Sequence, residues 1–315
     1  MSDPKKYTVG WISAIVTEYV AAQQFLEERH EGPKRVHQKD ENHYTLGRIG
    51  KHNIVIAVLP QGDNGVAAAA MAAKDMMHTF PNVRVGLMVG IGGGVPSKEH
   101  DIRLGDVVIS TPSYYGEIGN NGGVVQYDYA QTMQKKRFQS ARYLNQPPRA
   151  LRAAVAGLRA RHINSGGNQI DDTIRKLLQR APQLQEEFSR PDPTSDRLYS
   201  SEIIQLERAT RRDNTAVHYG LIASADHFME DASVRDILAK ELDVLCFEME
   251  AAGLMNQFPC LIIRGICDYS DTQWSKEWRG FAALAAAAYA KDLLYEVAPM
   301  QLEAEEGIGE LLYQS

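Results

Sequence analysis

The chain has 315 residues, of which 44% are hydrophobic, and it carries 34 lysines and arginines against 40 aspartates and glutamates, a formal charge of -6. That apolar content suffices for a sizeable core, and the length allows one large α/β domain or two small ones. The acidic balance, without a dominant basic patch, argues against a nucleic-acid partner, and no apolar run approaches the length of a membrane span.

The three cysteines, Cys246, Cys260 and Cys267, lie in or beside apolar segments. An odd number without the spacing of a disulfide framework predicts reduced, buried thiols in an intracellular protein. The amino terminus lacks the long apolar core of a signal peptide. We therefore expect a cytoplasmic protein with no membrane partner.

Short apolar runs and helical patterns alternate at the start of the chain. Strands are predicted over 7–14, 44–48, 53–59 and 83–89, and helices over 18–28 and 66–77. Thr17 could cap the first helix, which places Glu18 at a strand-to-helix junction. On pattern alone, Glu18 is a solvated first-turn residue that the helix dipole favours. The second helix is unusually apolar for a surface helix, and this predicts a homodimer or higher homo-oligomer unless it is an ordinary core helix.

A glycine cluster, GIGGGV over 90–95, follows the strand at 83–89. A dinucleotide-binding fingerprint requires G-x-G-x-x-G and then a helix. Here the last position is Val95, and a polar loop and a strand over 104–109 follow. We therefore expect no dinucleotide cofactor. We also expect no other cofactor and no metal. The pattern indicates either backbone that approaches a ligand, because only glycine leaves that space, or a tight turn.

Between about residues 131 and 215 the pattern changes to exposed amphipathic helices rich in Arg and Gln, over 150–161 and 174–188. The region lacks buried strands, so we expect a helical insertion or lid on the main domain rather than a second domain. The strand pattern returns at 217–224, and a closing helix is predicted over 281–297.

Together these elements predict one main domain over 1–298 and a weakly ordered carboxyl-terminal tail over 299–315. The stretch from 246 to 271 contains two acidic sites in different settings, one at a helix start and one at a strand end. Glu248 and Glu250 open a helix-like run, which Pro259 ends, and a buried strand over 261–263 leads to Asp268. In open α/β sheets, ligands bind at the carboxyl ends of strands. Partial burial there favours the protonated carboxyl group, which can act as a general acid.

Six motifs occur in a fixed order, and they cover about residues 7–129 and 217–295. They are VGWISAIVTE (9–18), VGIGGGV (89–95), LGDVVIS (104–110), SADHFMED (224–231), FEMEAAG (247–253) and RGICDYSD (264–271). With these motifs the chain resembles the purine nucleoside phosphorylase and uridine phosphorylase superfamily. Within it, the chain is most similar to the methylthioadenosine/S-adenosylhomocysteine nucleosidases and to the related domain of fungal NACHT- and ankyrin-containing proteins. The resemblance implies a three-layer α/β/α fold with a mixed central sheet.

The resemblance also implies roles for individual residues. Glu18 matches the glutamate that binds the attacking water, Asp268 the aspartate that protonates the purine, and Glu250 the residue that binds the sugar hydroxyls. Phe228 matches the aromatic residue that stacks on the purine. The remaining matches, all expected to line the substrate site, are Met229 beside the base, Met249 against the sugar, and Ile91 and Gly92 near the nucleophile.

Each of these residues also has an ordinary structural interpretation. Asp268 could cap a helix or pair with Arg264, Glu250 could be solvated, and Phe228 could belong to the core. The six motifs in order outweigh these separate interpretations. Cleavage of an N-glycosidic bond requires a general acid at the base and negative charge near an oxocarbenium-like sugar, which these residues can supply.

Phosphorylases of the superfamily carry a Gly-Asp-Pro-x-Arg loop near the amino terminus, and an Arg and a Ser near the second glycine-rich strand. This chain has GWISA at 10–14, and Met88 and Ile91 at the other two positions. Phosphate binding requires such donors, so the sequence favours water and predicts a hydrolase of purine nucleosides such as adenosine, inosine or guanosine. Two alternatives stay open: a phosphorylase that uses Arg48 or Arg84, and a domain that binds nucleosides without turnover.

Overall fold

The computed structural model describes residues 1–112, 122–128, 142–199, 214–272, 276–305 and 308. The strands are β1 (Val9–Ser13), β2 (Glu28–His30), β3 (His43–Ile49), β4 (His52–Val58), β5 (Val85–Gly94), β6 (Val107–Ser110), β7 (Val124–Gln126), β8 (Arg142–Tyr143), β9 (Val217–Ser224), β10 (Val244–Glu248) and β11 (Cys260–Asp268). The helices are α1 (Val16–Gln24), α2 (Gly65–Thr79), α3 (Arg149–Asn164), α4 (Ile170–Arg180), α5 (Gln185–Phe188), α6 (Ala232–Leu242), α7 (Ala251–Leu254), α8 (Arg279–Glu296) and α9 (Pro299–Ala304).

All of these strands belong to one mixed sheet, in the order β2-β3-β4-β1-β5-β11-β6-β9-β7-β8. Strands β1, β5 and β11 run parallel, so their carboxyl ends meet at one edge of the sheet. Strand β10 pairs with both β5 and β9, which closes β5, β11, β6, β9 and β10 into a circuit. Because β10 runs antiparallel to β5, with Phe247 opposite Gly93, the chain after β10 returns along β5 toward Ile91.

Helix α8 lies in the centre of one helical layer. Its residues from Phe281 to Ala290 are all buried, and their small alanine side chains let it pack closely against β5, β6 and β11. A side chain at Gly265 of β11 would meet the carbonyl oxygen of Ala282 at 1.9 Å, so only glycine permits this approach. Helix α2 covers the opposite side of the sheet with α7. The predicted α/β/α architecture with a mixed sheet is confirmed.

Helix α2 buries Ala69, Ala72, Ala73, Met76 and Met77, as a core helix does. The homodimer or higher homo-oligomer that its apolar sequence predicts stays a prediction. In the described part of the chain, no helix combines the length and the apolar character needed to cross a membrane.

The region predicted as an exposed helical insertion is more deeply packed than expected. Leu151, Leu158, Ile174 and Phe188 of α3, α4 and α5 are buried in the same core as α8. The hydrophobic residues of these helices recur at helical spacing, so each helix has an apolar face. These faces pack against α8. Residues 129–141 and 200–213 of this region lie outside the described residues, and the domain boundaries themselves stay a prediction.

The prediction of a weakly ordered carboxyl-terminal tail is wrong for residues 299–305 and 308, the part of the tail that the structure describes. Residues 299–304 form α9, and the side chains of Leu302 and Ile308 are buried in the core. The amide of Ile308 donates to the carbonyl oxygen of Val83 at 3.1 Å. The burial of two apolar side chains and this backbone hydrogen bond therefore hold a segment that its composition does not mark as ordered.

Candidate active site

One cavity of about 250 Å³ lies at the edge where β5 and β11 end. The motif-based prediction placed eight residues from distant parts of the chain in a substrate site, and all eight line this cavity. They are Glu18, Ile91, Gly92, Phe228, Met229, Met249, Glu250 and Asp268. The fold thus brings together the residues that the resemblance singled out.

Glu18 is buried at the start of α1, with a relative exposure of 4%. Its Oε2 accepts hydrogen bonds from the amides of Ala14, at 2.6 Å, and Ile15, at 3.2 Å, and its Oε1 accepts one from the amide of Ile91 at 2.8 Å. Burial raises its pKa, and nearby Arg264 and the three amides oppose that rise. Glu18 is therefore a fixed, buried carboxyl group, and the solvated first-turn interpretation is wrong.

The start of α1 explains this arrangement. The helix begins at Val16, two residues before the predicted start, and Ile15 at its amino-terminal cap offers no polar side chain. Glu18 takes over the capping role, because its carboxylate satisfies amides that precede the helix. The same bonds hold the carboxylate toward β5.

Arg264 lies in the middle of β11 and is 1% exposed. Its Nη2 contacts the carboxylates of Glu248 and of Glu250, the latter at 3.1 Å, and its Nη1 lies 3.9 Å from Oε1 of Glu18. Burial acts to lower the pKa of Arg264, but the three carboxyl groups outweigh that effect and raise it. We call Glu18, Glu248, Glu250 and Arg264 the arginine-centred cluster.

Three carboxyl groups surround one guanidinium in this cluster, so full ionisation would leave a buried net negative charge. Burial is the main cause that raises the pKa of Glu250, to about 7, and repulsion by Glu248 and Glu18 adds to it while Arg264 opposes it. The cluster therefore retains a proton more readily than ordinary carboxyl groups do.

Glu248 and Arg264 were not among the predicted site residues. Glu248 accepts hydrogen bonds from the amides of Glu250, at 3.1 Å, and Ala251, at 3.0 Å, so it orders the turn that carries Met249 and Glu250. The sequence held a signal for Arg264, which stands between Leu261–Ile263 and Gly265–Ile266 in an apolar strand. A charged residue inside a buried strand requires partners.

The other acidic region is the end of β11 together with the turn that follows it. Asp268 is 6% exposed. Its Oδ1 accepts a hydrogen bond from the amide of Ser270 at 2.9 Å, and its Oδ2 lies 3.1 Å from the thiol sulfur of Cys267, which donates to it. Ser270 has a φ of 52°, in the left-handed region that non-glycine residues rarely adopt. We call Cys267–Asp271 the Asp268 turn.

The glycine cluster of β5 provides space for both acidic regions. A Cβ at Gly90 would lie 2.3 Å from Oε1 of Glu18, and a Cβ at Gly93 would lie 2.7 Å from Oδ1 of Asp268. The cluster is a continuous strand, so the tight-turn interpretation is wrong. The absent side chains leave room for the carboxyl groups that face the cavity.

Phe228 and Met229 belong to the loop between β9 and α6. Phe228 is 43% exposed at the cavity, so it is not the core residue that its ordinary interpretation suggested, whereas Met229 is buried. Asp226 fastens this loop to α2, because its Oδ1 accepts a hydrogen bond from the amide of Val66 at 3.0 Å.

The two arginines considered as phosphate ligands lie elsewhere. Arg48 pairs with Glu28 on the outer strands and donates to the carbonyl oxygen of Gly50. Arg84 donates to the carbonyl oxygen of Glu305. Neither lines the cavity, because β3 and the start of β5 are remote from the carboxyl end of the sheet. No described residue of 142–199 lines it either, so a lid is not visible in that part of the chain.

The geometry of the cavity agrees with the comparison of the whole chain with known protein families. A model described as the phosphorylase superfamily matches residues 8–297. This chain belongs to the phosphorylase superfamily. A nucleotide-binding leucine-rich repeat (NLR)-like protein of the fungus Hyaloscypha variabilis is 42% identical, over 95% of this chain, and the chain spans 30% of the length of that protein.

Solved structures share the fold at low sequence identity. The futalosine hydrolase of Helicobacter pylori superposes with a TM-score of 0.57 at 16% identity, over 92% of this chain and 98% of that chain. The 5′-methylthioadenosine/S-adenosylhomocysteine nucleosidase of the same organism gives 0.58 at 17%, over 92% and 99%. The corresponding nucleosidase of Neisseria meningitidis gives 0.57 at 18%, over 91% and 98%.

Proposed function

We propose that the domain is a purine nucleosidase, which hydrolyses the N-glycosidic bond of a purine ribonucleoside to the free base and ribose. The observation that carries the proposal is the pairing of two buried carboxyl groups, Glu18 and Asp268, in one cavity with different surroundings. A second support is the set of similar folds, which includes the nucleosidase of Neisseria meningitidis in complex with methylthio-immucillin-A.

In this mechanism Glu18 positions a water molecule and accepts its proton. Three backbone amides fix its carboxylate, so little reorganisation is needed when the proton moves. The raised pKa brings its basicity closer to neutral pH, where a general base is most effective.

The sugar becomes cationic as the base leaves. Glu250 would bind the sugar hydroxyls and place negative charge beside that cation, while Arg264 keeps the carboxylate oriented. Such preorganised charge stabilises a transition state without reorganisation during the reaction.

Asp268 would protonate N7 of the purine, so that the base leaves in neutral form. Its Oδ1 accepts a hydrogen bond from the amide of Ser270 and its Oδ2 accepts one from the thiol of Cys267, so the carboxyl group is held in place at the cavity. Phe228 would stack on the base, because a purine has a large apolar face.

Water rather than phosphate is the proposed nucleophile. Four carboxyl groups line the cavity: Glu18, Glu248, Glu250 and Asp268. Among its described lining residues, the only guanidinium is that of Arg279, and Arg264 faces the carboxylates of its cluster. An acidic cavity repels phosphate and suits a cationic sugar.

The test is base release from adenosine, inosine and guanosine, followed by chromatography with and without phosphate. We expect turnover in phosphate-free buffer, with ribose as the sugar product. In water labelled with heavy oxygen, the label should appear in the ribose. A strict phosphate requirement with ribose 1-phosphate as product would establish a phosphorylase and reject the proposal. Nucleoside binding without turnover would also reject it, in favour of a nucleoside-sensing domain.

A further inference from the structure

A buried arginine outside the cavity connects two segments that would contact the purine base: the loop that carries Phe228 and Met229, and the Asp268 turn. Arg235 lies on α6, one turn after the loop that carries Phe228 and Met229, and it is 3% exposed. The only other buried residue of α6 is Leu238. An arginine is seldom buried on such a peripheral helix unless its contacts require it.

The contacts of Arg235 point toward the Asp268 turn. Its Nη1 donates a hydrogen bond to the carbonyl oxygen of Tyr269 at 2.8 Å and lies 3.7 Å from Oδ2 of Asp271, which is buried. Its Nε and Nη2 contact the exposed carboxylate of Asp236 at 2.8 Å. The buried side of the guanidinium is thus directed at the two residues that flank Ser270.

One peptide group transmits this contact to Asp268. The carbonyl oxygen of Tyr269 and the amide of Ser270 belong to the same planar unit, and they point in opposite directions. Arg235 binds the carbonyl oxygen, and the amide donates to Oδ1 of Asp268 at 2.9 Å. Rotation of this peptide group would break both bonds, so the arginine restrains the amide that orients the carboxyl group.

Ser270 makes this restraint necessary. Its φ of 52° lies in the left-handed region, which costs free energy for a residue with a side chain. A turn in this conformation persists only where its surroundings hold it. Arg235 supplies such a contact from α6, while Asp231 caps the same helix through the amides of Ser233 and Val234.

We propose that Arg235 is a positioning residue for proton transfer to the base: from α6 it holds the Tyr269–Ser270 peptide group and thereby fixes the carboxyl group of Asp268 beside the loop of Phe228. The inference rests on the proposed nucleosidase function. Arg235 does not line the cavity, so it acts through the Asp268 turn.

The experiment compares Arg235→Met with wild type on inosine and on a nitrophenyl riboside, whose leaving group departs without protonation. We expect kcat on inosine to fall about 10- to 100-fold, part of the typical contribution of a general acid, with KM nearly unchanged. The nitrophenyl substrate should lose less than about threefold, because it bypasses Asp268. Arg235→Lys retains a donor and should recover part of the loss on inosine.

Asp236→Asn is the matched control, since it removes only the exposed partner of Arg235 and should leave both substrates unaffected. A cooperative thermal unfolding transition is the criterion that each variant is folded. If Arg235→Met does not fold, Arg235→Lys and Asp271→Asn decide the question by the same difference between substrates.

Equal losses on both substrates, or no loss on either, would overturn the inference and leave the nucleosidase proposal intact. A folded wild-type domain that cleaves the nitrophenyl riboside but no purine nucleoside would overturn both.

Discussion

The arginine-centred cluster and the Asp268 turn both place buried carboxyl groups at the cavity, but they differ in how those groups are held. In the cluster, one guanidinium faces three carboxyl groups, and Glu18 accepts three backbone hydrogen bonds. In the turn, the one carboxyl group that lines the cavity, that of Asp268, contacts one amide and one thiol. The first arrangement surrounds its carboxyl groups with a guanidinium and several amides, whereas the second holds Asp268 by two hydrogen bonds.

This difference suggests a division of labour across the substrate. Charge is concentrated where the sugar would become cationic and where water would be deprotonated. Asp268, whose hydrogen bonds come from one amide and one thiol, lies where the base would need a proton. Changes in the cluster should therefore affect every substrate, and changes in the turn only those whose leaving group needs protonation.

The largest effect is expected from Glu18→Gln. The amide preserves the size of the side chain but cannot accept a proton from water, so hydrolysis should fall by about a hundred- to ten-thousand-fold. Nucleoside binding, measured by calorimetry, should stay close to wild type. Near-normal turnover would exclude Glu18 as the general base.

Next in size is the stability effect of Arg264→Met. Removing the guanidinium leaves three buried carboxyl groups without their cation, and breaking such a buried pair typically costs about 3–5 kcal/mol. Urea unfolding measures the change. Arg175→Met is the matched control, because Arg175 pairs with Asp172 on the exposed face of α4 and should matter little. Equal stability of the two variants would contradict the role of the cluster.

Alanine substitutions in β5 separate the two regions. A Cβ at position 90 meets Glu18 and Arg264, and a Cβ at position 93 meets Ser270 and Asp268. Displacement by about 1 Å can reduce turnover about a hundredfold. Gly90→Ala should lose activity on all substrates, and Gly93→Ala mainly on purine nucleosides. Gly157→Ala, where the nearest atom is 3.5 Å away, is the control; identical substrate profiles at positions 90 and 93 would refute the division.

The smallest effect is expected from pH, which should change activity and stability in opposite directions: activity falls toward acidic pH, and stability falls toward neutral pH. Burial raises the pKa of Glu18, and that of Glu250 rises from 4.5 to about 7. Protonated Glu18 cannot act as a base, and its pKa is raised by burial, so kcat/KM should fall toward acidic pH, starting at a higher pH than for an ordinary carboxyl group. A raised pKa means that the folded chain binds the proton more tightly than the unfolded chain does. This contribution to stability is complete below about pH 4.5 and is lost as the pH rises through about 7.

Urea unfolding between pH 4 and 8 should show this trend, and Glu250→Gln should weaken it. If stability depends on pH in the same way in the wild type and in Glu250→Gln, Glu250 does not retain the proton assigned to it.

The sequence predicted the elements with strong local patterns. The strand over 217–224 and the helix α2 formed nearly as expected, because their periodicity and composition agree with their packing. Strand β10 was missed because Glu248–Glu250 resembles the start of a helix, and its strand pairing depends on distant β5 and β9. The eight cavity residues came from motifs in family order, which local pattern alone would not have joined.

Long-range contacts explain what the sequence did not predict. The partners of Arg264 come from α1 and from the chain around β10, and no spacing rule connects them. Arg235 acts through a backbone carbonyl group 34 residues away. The buried face of α3 and the order of α9 likewise depend on the surface that α8 and the start of β5 offer.

The most direct test of the division of labour is the activity of Asp268→Asn on two substrates. Asparagine keeps the shape of the side chain but has no acidic proton, so cleavage of inosine should fall by about a hundredfold or more. Cleavage of a nitrophenyl riboside should fall much less, since its leaving group needs no protonation. Equal losses on both substrates would show that Asp268 serves folding or sugar binding, and would contradict its role as the acid.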